Sequence, residues 1–428
     1  MNMIKALRNR SIALLWSGQA ASAIGDEIYR VALIWLAVGL IGADTGYLAA
    51  GQSAALLLLS VLGGRWADHW DHFKTMICVD VLRGLLVLVP VIFVHFMPLS
   101  MSILWVVALS LASLSAFFDP AIQAVLPGFS ADTQTLQAAN GLMSTTLRLA
   151  RVAGPGIIGV LVVFIPTIHF FSLDALTFLV SAVSIYFLKA HPPQREVSLP
   201  GFNKKKAGFR ESVVSGFQAL DRDPSTRSVF RFVMLSKAVT GGAWSLAYGL
   251  GLALFVHKVA PHDVRAFGSL IAAYGVGNLS SALVLGNMDR RRSNLIQFLG
   301  YSWLGVGFIL IGLSPNLHYM MAAAAFAAIG GPMNDLPLVD MIQRHFEVND
   351  IPKVYRLRMA VETGATLFAM LMAPALFRIF SVQSVIALCG VVTASVGVVG
   401  LLRYGEKSGL NSSKREAGRR FWLKHSLE

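Results

Sequence analysis

The chain has 428 residues, of which 55% are hydrophobic and 14% charged, and its formal net charge is +13. A soluble chain of that length divides into domains with polar surfaces, and this composition does not supply them. The positive charge sits in short segments between apolar runs, which argues against nucleic-acid binding, and the two cysteines, Cys78 and Cys389, indicate neither a disulfide framework nor a metal site.

Twelve apolar stretches follow one another, each long enough to cross a hydrocarbon core as a helix. They lie at roughly 12–42, 46–66, 75–97, 101–126, 137–165, 168–190, 228–257, 264–286, 293–313, 317–344, 354–379 and 383–404. The expected fold class is therefore an all-α polytopic membrane protein. An even count of spans puts both termini on one side. Lys5, Arg8, Arg10, Arg65, Lys74, Lys204, Lys205, Lys206, Arg290, Lys353 and the basic tail through Lys424 fall on that side, which reads as cytoplasmic. The opposite loops, at 42–46, 96–100 and 314–318, are almost free of Lys and Arg, and Lys258 is the exception. The basic loops are expected to lie near anionic lipid head groups. The first apolar run is too long for a signal-peptide core and is expected to remain as span 1.

One long polar interruption divides the spans six and six. The expected organisation is a six-helix bundle over 1–190, a cytoplasmic linker over 191–227, a second six-helix bundle over 228–404 and a basic cytoplasmic tail over 405–428. In the linker, Phe209, Val213, Phe217 and Leu220 recur at helical spacing and predict an amphipathic helix on the membrane surface. A disordered tether is the alternative.

Internal repetition supports the division. Phe118-Asp119-Pro120 closes span 4, and Asn334-Asp335-Leu336-Pro337 stands near the end of span 10, each before a short loop and another span. Parallel halves imply a cavity between them near the bilayer midplane. Gly64-Arg65-Trp66-Ala67-Asp68, continuing to Lys74, combines a small residue for close helix contact with an acid that can latch the cytoplasmic side. Ala153-Gly154-Pro155-Gly156, continuing to Gly159, would let span 5 bend against a neighbour, with Arg151 one turn earlier. An ordinary packing kink is the alternative reading of that stretch.

On these residues the chain resembles the major facilitator superfamily. The Gly64 to Lys74 segment is similar to its loop signature between helices 2 and 3, except that His69 follows Asp68 in place of the usual Arg, which implies a weaker or pH-sensitive latch. The Gly154-Pro155 stretch resembles the superfamily's antiporter motif. Ser22 to Asp26, Asp119 to Pro127, Gln137 to Gly141, Tyr274 to Gly277 and Ile329 to Asn334 are similar to the drug and siderophore (enterobactin-type) efflux branch. Lysophospholipid transporters are similar at the same places. The resemblance implies gating by Gly64, Asp68, Lys74, Arg151, Gly154, Pro155 and Gly159.

Ionisable groups inside spans are costly and are candidate sites by default. Asp26 and Glu27 both reach toward Arg30 in span 1, and one Arg neutralises one acid, so the surplus carboxyl suggests a proton site. A wet end of the span with both acids ionised is the alternative. Glu362 in span 11 is the second proton candidate. Arg148 lies about 16 Å along span 5, where Asp119 is its expected partner. Arg30, Asp119, Arg148, Lys237, Trp244 and Asp335 are the candidate substrate contacts, with Trp244 placed by the weak point at Gly241-Gly242. Asp80 and Arg83 are expected to reach polar surroundings near the end of span 3.

The chain contains no phosphate-binding Gly-xxxx-Gly-Lys loop, no nucleophile elbow and no His-Glu-xx-His zinc pair. The expected function is a proton-coupled antiporter without cofactor or enzymatic activity, monomeric in the bacterial inner membrane, exporting an amphipathic or carboxylate-bearing small molecule such as a drug or siderophore. An importer of a metal chelate, a lysophospholipid flippase and a non-transporting membrane sensor are the alternatives.

Overall fold

The computed structural model describes residues 3–62, 71–130, 133–189, 209–222, 224–261, 263–286, 293–346 and 350–405. A helix stands at each predicted span: α1 (Arg10–Ile41), α2 (Thr45–Leu62), α3 (His72–Phe93), α4 (Met101–Val125), α5 (Thr133–Phe164), α6 (His169–Lys189), the linker helix α7 (Phe209–Asp221), α8 (Pro224–Trp244), α9 (Leu252–Val259), α10 (Val264–Gly286), α11 (Ser293–Gly312), α12 (Leu317–His345), α13 (Ile351–Ile379) and α14 (Val382–Tyr404). A π-helical segment, Ser245–Gly251, joins α8 to α9. Among the described residues nine helical stretches are long and apolar enough to cross a membrane, one of them running through α1 and α2 from Arg10 to Leu59.

Local chemistry fixes several helix starts. The orphan N–H groups of a first turn need acceptors, and side chains supply them. Asn9 accepts from Ser11 N at 3.0 Å, Asp71 from Phe73 N at 3.0 Å, Asn316 from Tyr319 N at 3.1 Å and Ser381 from Ser384 N at 3.1 Å. Between α1 and α2 the chain turns at Gly42, whose φ of 57° disfavours a side chain.

Glycines set how closely the helices approach. A Cβ on Gly390 of α14 would lie 2.6 Å from the carbonyl oxygen of Gly305 on α11, and one on Gly300 of α11 would lie 2.6 Å from Met333 Cβ on α12. Such small-residue contacts replace the hydrophobic drive that lipid cannot supply. Large apolar side chains stay exposed on the helix surfaces, Leu85, Val106, Val160, Leu283, Phe368 and Leu402 among them, as suits a surface solvated by acyl chains.

The apolar core differs between the two ends of the molecule. At the end where α1 finishes and α2 starts, one continuous cluster takes in residues of α1–α6 together with α8–α14, including Trp35, Phe171, Phe255, Phe267, Phe308 and Met370. At the opposite end it splits in two. One cluster holds Ile12, Leu15, Met76, Phe118 and Phe129, and the other holds Leu220, Phe230, Phe298, Ile342 and Leu357. Helix pairs from the earlier and later parts of the chain meet in α2 with α13, α5 with α10 and α1 with α9.

α7 forms within the segment expected to carry an amphipathic helix. It docks on α13, where a Cβ on Gly216 would lie 2.7 Å from Leu357 Cβ, and it buries Ala219 and Leu220 while Val214 and Phe217 remain exposed. Arg222 and Lys353 both pair with the buried Asp350, Lys353 at 2.6 Å, and tie the same helix end together.

Candidate functional site

A cavity of about 420 Å³ opens between the helices, within the size range of small-molecule sites. α8, the π segment, α10, α11, α12 and α13 line it, and α1 adds Arg30. Lys237 on α8 is 6% exposed. Its ammonium donates to Asn334 Oδ1 at 2.8 Å and pairs with Asp335, both on α12. Arg358 on α13 reaches the same Asp335 at 3.0 Å and Glu362 at 2.8 Å, so three helices are joined by one chain of charges. The reach across α12 is possible because Gly300 and Gly330 bring α11 and α12 into backbone contact beside Asn334.

Part of the cavity lining is aromatic. Trp244 stacks on Tyr248 with ring centroids 4.8 Å apart, Tyr248 meets Tyr274 at 4.2 Å, and Trp244 Nε1 donates to the Tyr274 hydroxyl at 3.0 Å. The Lys237 ammonium lies 5.7 Å from the Tyr301 ring centre. Trp244 and Tyr248 sit where the α-helical ladder of α8 gives way to the π segment, and Ser245 in that segment bonds Thr366 of α13 at 3.0 Å. Single-turn π distortions often mark functional positions because they redirect side chains.

Charge is balanced in this site. Arg30, Lys237 and Arg358 face Asp335 and Glu362, and Arg30 is paired with Glu27. Lys237 is therefore not an uncompensated cation, which removes the basis for expecting a carboxylate preference from it. Of the sequence candidates, Arg30, Lys237, Trp244, Asp335 and Glu362 lie together in the lining of this cavity. Arg358, Tyr248, Tyr274 and Tyr301 escaped the sequence reading. The i,i+4 spacing of Arg358 and Glu362 inside an apolar span was the available signal.

Other expectations change. Arg30 takes Glu27 as its partner, which is 7% exposed, and Asp26 is left on an exposed face. Asp119 feels the charge of Arg83, and the side chain of Arg148, its expected partner, lies outside the described residues. Asp80 and Arg83 do not reach polar surroundings: they are 0% and 4% exposed, 3.7 Å apart at the ion pair. The reason is that α3 packs against α6 and α4 at this level, which covers both groups.

Of the gating candidates, Gly64 and Asp68 lie outside the described residues, as do the side-chain positions of Arg151, Pro155 and Gly159. Lys74 is exposed in the first turn of α3. Gly154 is buried against α1, where an added Cβ would stand 2.7 Å from Glu27 Cβ. At the other end of the cavity Trp35 stacks on Phe267 at 4.9 Å and meets His257 at 5.7 Å. Arg378 on α13 pairs with Asp44 at 2.5 Å, just before α2. Among the described residues no cluster of three His, Cys, Asp or Glu side chains is placed to hold a metal.

Residues 2–333 match the family model described as transmembrane secretion effector. The multidrug efflux pump Tap of Mycolicibacterium fortuitum is 26% identical over 344 residues, 77% of this chain and 80% of that protein. An uncharacterised MFS-type transporter, YfiS of Bacillus subtilis strain 168, is 23% identical over 413 residues, 92% and 93% of the two chains. Among solved structures, a POT family transporter in complex with 5-aminolevulinic acid has a TM-score of 0.67 at 13% identity, covering 94% of this chain and 97% of that one. A bacterial metal transporter has a TM-score of 0.60 at 15% identity, covering 92% and 99%. The fold is thus that of known transporters, and the chain is an integral membrane transporter that belongs to the transmembrane secretion effector family of the major facilitator superfamily.

Proposed function

We propose that the chain is a proton-coupled antiporter that exports an amphipathic small molecule by alternating access. The observation that carries this reading is the cavity, whose lining combines the aromatic rings of Trp244, Tyr248 and Tyr274 with the linked charges of Lys237, Asp335, Arg358 and Glu362. A flat apolar ring system stacks on such a wall, while the charge chain offers both donors and acceptors to its polar edge. The balanced charge favours neutral or zwitterionic molecules over simple anions, and drug-like compounds fit better than carboxylate-rich siderophores.

In this reading, 1–190 and 228–404 form two six-helix bundles of twelve spans joined by the 191–227 linker. The continuous apolar cluster closes the outer side, and the split cluster at the end of Lys74 and Lys353 leaves the cavity facing the cytoplasm. Both termini are cytoplasmic and the membrane is the bacterial inner membrane. The working unit is a monomer. Asp26 in the first bundle and Glu362, which lines the cavity, in the second are the acids that exchange protons. Similarity to an efflux pump supports the outward direction.

The energetics suffice. Moving one charge through about 150 mV releases about 3.5 kcal/mol, enough for roughly a 300-fold gradient of a neutral solute. The test is flux into sealed inside-out vesicles containing the protein, with ethidium, a carboxylate siderophore and a lysophospholipid compared with and without an acidic lumen. Acid-driven uptake of the dye or another flat amphipath supports the proposal. Selective movement of the lysophospholipid would favour a flippase instead, and no pH dependence for any probe would refute proton coupling.

A further inference from the structure

Away from the cavity, α1, α3 and α6 enclose a second group of charges that the transport site does not use. Asp174 on α6 and Asp80 on α3 are each 0% exposed, and Arg83, one turn beyond Asp80, is 4% exposed. The guanidinium centre of Arg83 lies 4.7 Å from the Phe118 ring and 5.5 Å from the Phe178 ring, so aromatic faces occupy much of its surroundings. Two fully buried carboxyls share this one guanidinium, and Asp26 and Asp119 also feel its charge. A buried, uncompensated carboxylate is strongly disfavoured in a low-dielectric interior. A proton restores the balance.

The geometry singles out Asp174. Its Oδ1 faces the Thr177 hydroxyl at 3.4 Å, and its Oδ2 is buried without a hydrogen-bond partner among the described residues. An ionised carboxylate has about four acceptor sites to fill, and this setting leaves most of them empty. The charged and titratable groups facing it are Asp26 and Tyr29 from α1 and Arg83 from α3, and Asp80 on α3 shares that Arg83 with it. Arg148 is borne by α5, which packs on α1 and α10.

α1 borders both this group, at Gly25, and the cavity, at Arg30. Gly25 allows α6 to press against its backbone, since a Cβ there would lie 2.5 Å from Asp174 Oδ1. The next residue, Asp26, is exposed, and Arg30 in the cavity wall is four residues further, about 6 Å along the helix. α1 is also the helix against which Gly154 packs at Glu27. A movement of α1 therefore changes the cavity wall and the seat of Asp174 together.

We propose that Asp174 is the buried proton-binding residue of the transport cycle, with Asp26 passing the proton between it and the cavity and Arg83 as the counter-charge retained by Asp80 when Asp174 is neutral. The proposal rests on the reading of the chain as a proton-coupled transporter. Protonation adds one proton to the Asp174 carboxylate, and its release returns that proton through Asp26. No other group changes its covalent state.

The test is infrared difference spectroscopy on the full-length protein in lipid nanodiscs, titrated in pH without substrate. Wild type is expected to show the carbonyl stretch of a protonated buried carboxyl, and Asp174→Asn is expected to lack it while Glu362→Gln retains it. Asp80→Asn supplies a second variant that leaves Asp174 intact: Arg83 is then free to neutralise Asp174, and the band is expected to vanish at the pH where wild type shows it. Survival of the wild-type band in Asp174→Asn, or an unmoved titration in Asp80→Asn, overturns the assignment. In proteoliposomes, Asp174→Asn is expected to keep downhill exchange and to lose pH-driven accumulation. A wild type that shows the band but no pH-driven flux would refute coupled export and leave the buried proton site standing.

Discussion

Asp335 is the hub of the cavity charges, and the two substitutions that break its contact with Lys237 should not cost the same. Removing one partner of a fully buried ion pair costs about 3–5 kcal/mol. Here the Lys237 side chain is 8% exposed and the Asp335 side chain 48% exposed, so cavity water softens the loss on the acid's side only. In Lys237→Met, Asp335 keeps Arg358 at 3.0 Å while Asn334 Oδ1 loses its bond from the ammonium, and the expected cost is about 1–2 kcal/mol for the two hydrogen bonds lost. In Asp335→Asn the buried ammonium keeps Asn334 but faces Arg358 without the acid between them, and the expected cost is about 2–3 kcal/mol. The double variant removes both charges and should be no worse than Asp335→Asn alone. Melting points in one detergent provide the assay, at roughly 2 °C per kcal/mol for a chain of this size. If Lys237→Met melts as low as Asp335→Asn, the hub is wrongly placed.

Further outcomes follow from the same geometry. Gly154→Val should force α1 and α5 apart at Glu27, with an overpacking cost of about 1–3 kcal/mol; equilibrium binding of a transported dye should persist while turnover falls, and unchanged turnover would show that this contact does not gate. Trp35→Ala should open the outer seal by removing its stacking on Phe267 and its edge contact with His257. In that background a cysteine introduced as Tyr248→Cys should label from the outside faster than with Trp35 present, and equal labelling would contradict the seal. Asp68→Asn should slow cycling more than it weakens substrate binding, measured on the same preparation; wild-type transport rates would discard the latch.

Helix positions were legible because each run of apolar residues has to satisfy its own backbone, and α1–α6 and α8–α14 follow the hydropathy with ends shifted by a few residues. Lys237, Asp335 and Glu362 were legible for a related reason: a charge inside such a run has no cheap alternative to a partner or a cavity. Partner choice was not legible. Arg30 pairs with Glu27 and leaves Asp26 aside, and the i,i+3 and i,i+4 spacings do not separate those outcomes. Asp80 and Arg83 were read as lying about a turn from the end of span 3, but α3 starts at His72 and places them about two and three turns inside, where the packing of α3 on α4 and α6 buries both. Asp174 carried a signal, an acid within the apolar run of α6, but its meaning depends on Gly25 admitting α6 close to α1. The aromatic wall needed the π segment, which turns Trp244 and Tyr248 in a way no periodicity announces.

The most direct test of coupled export is to follow substrate and protons together in one set of proteoliposomes, with a fluorescent amphipathic dye and a lumenal pH indicator. Antiport predicts that an imposed dye gradient moves protons in the opposite direction, with both fluxes absent from vesicles that lack the protein. Protons moving with the dye, or a lumenal pH that does not respond while the dye is carried, would contradict the account.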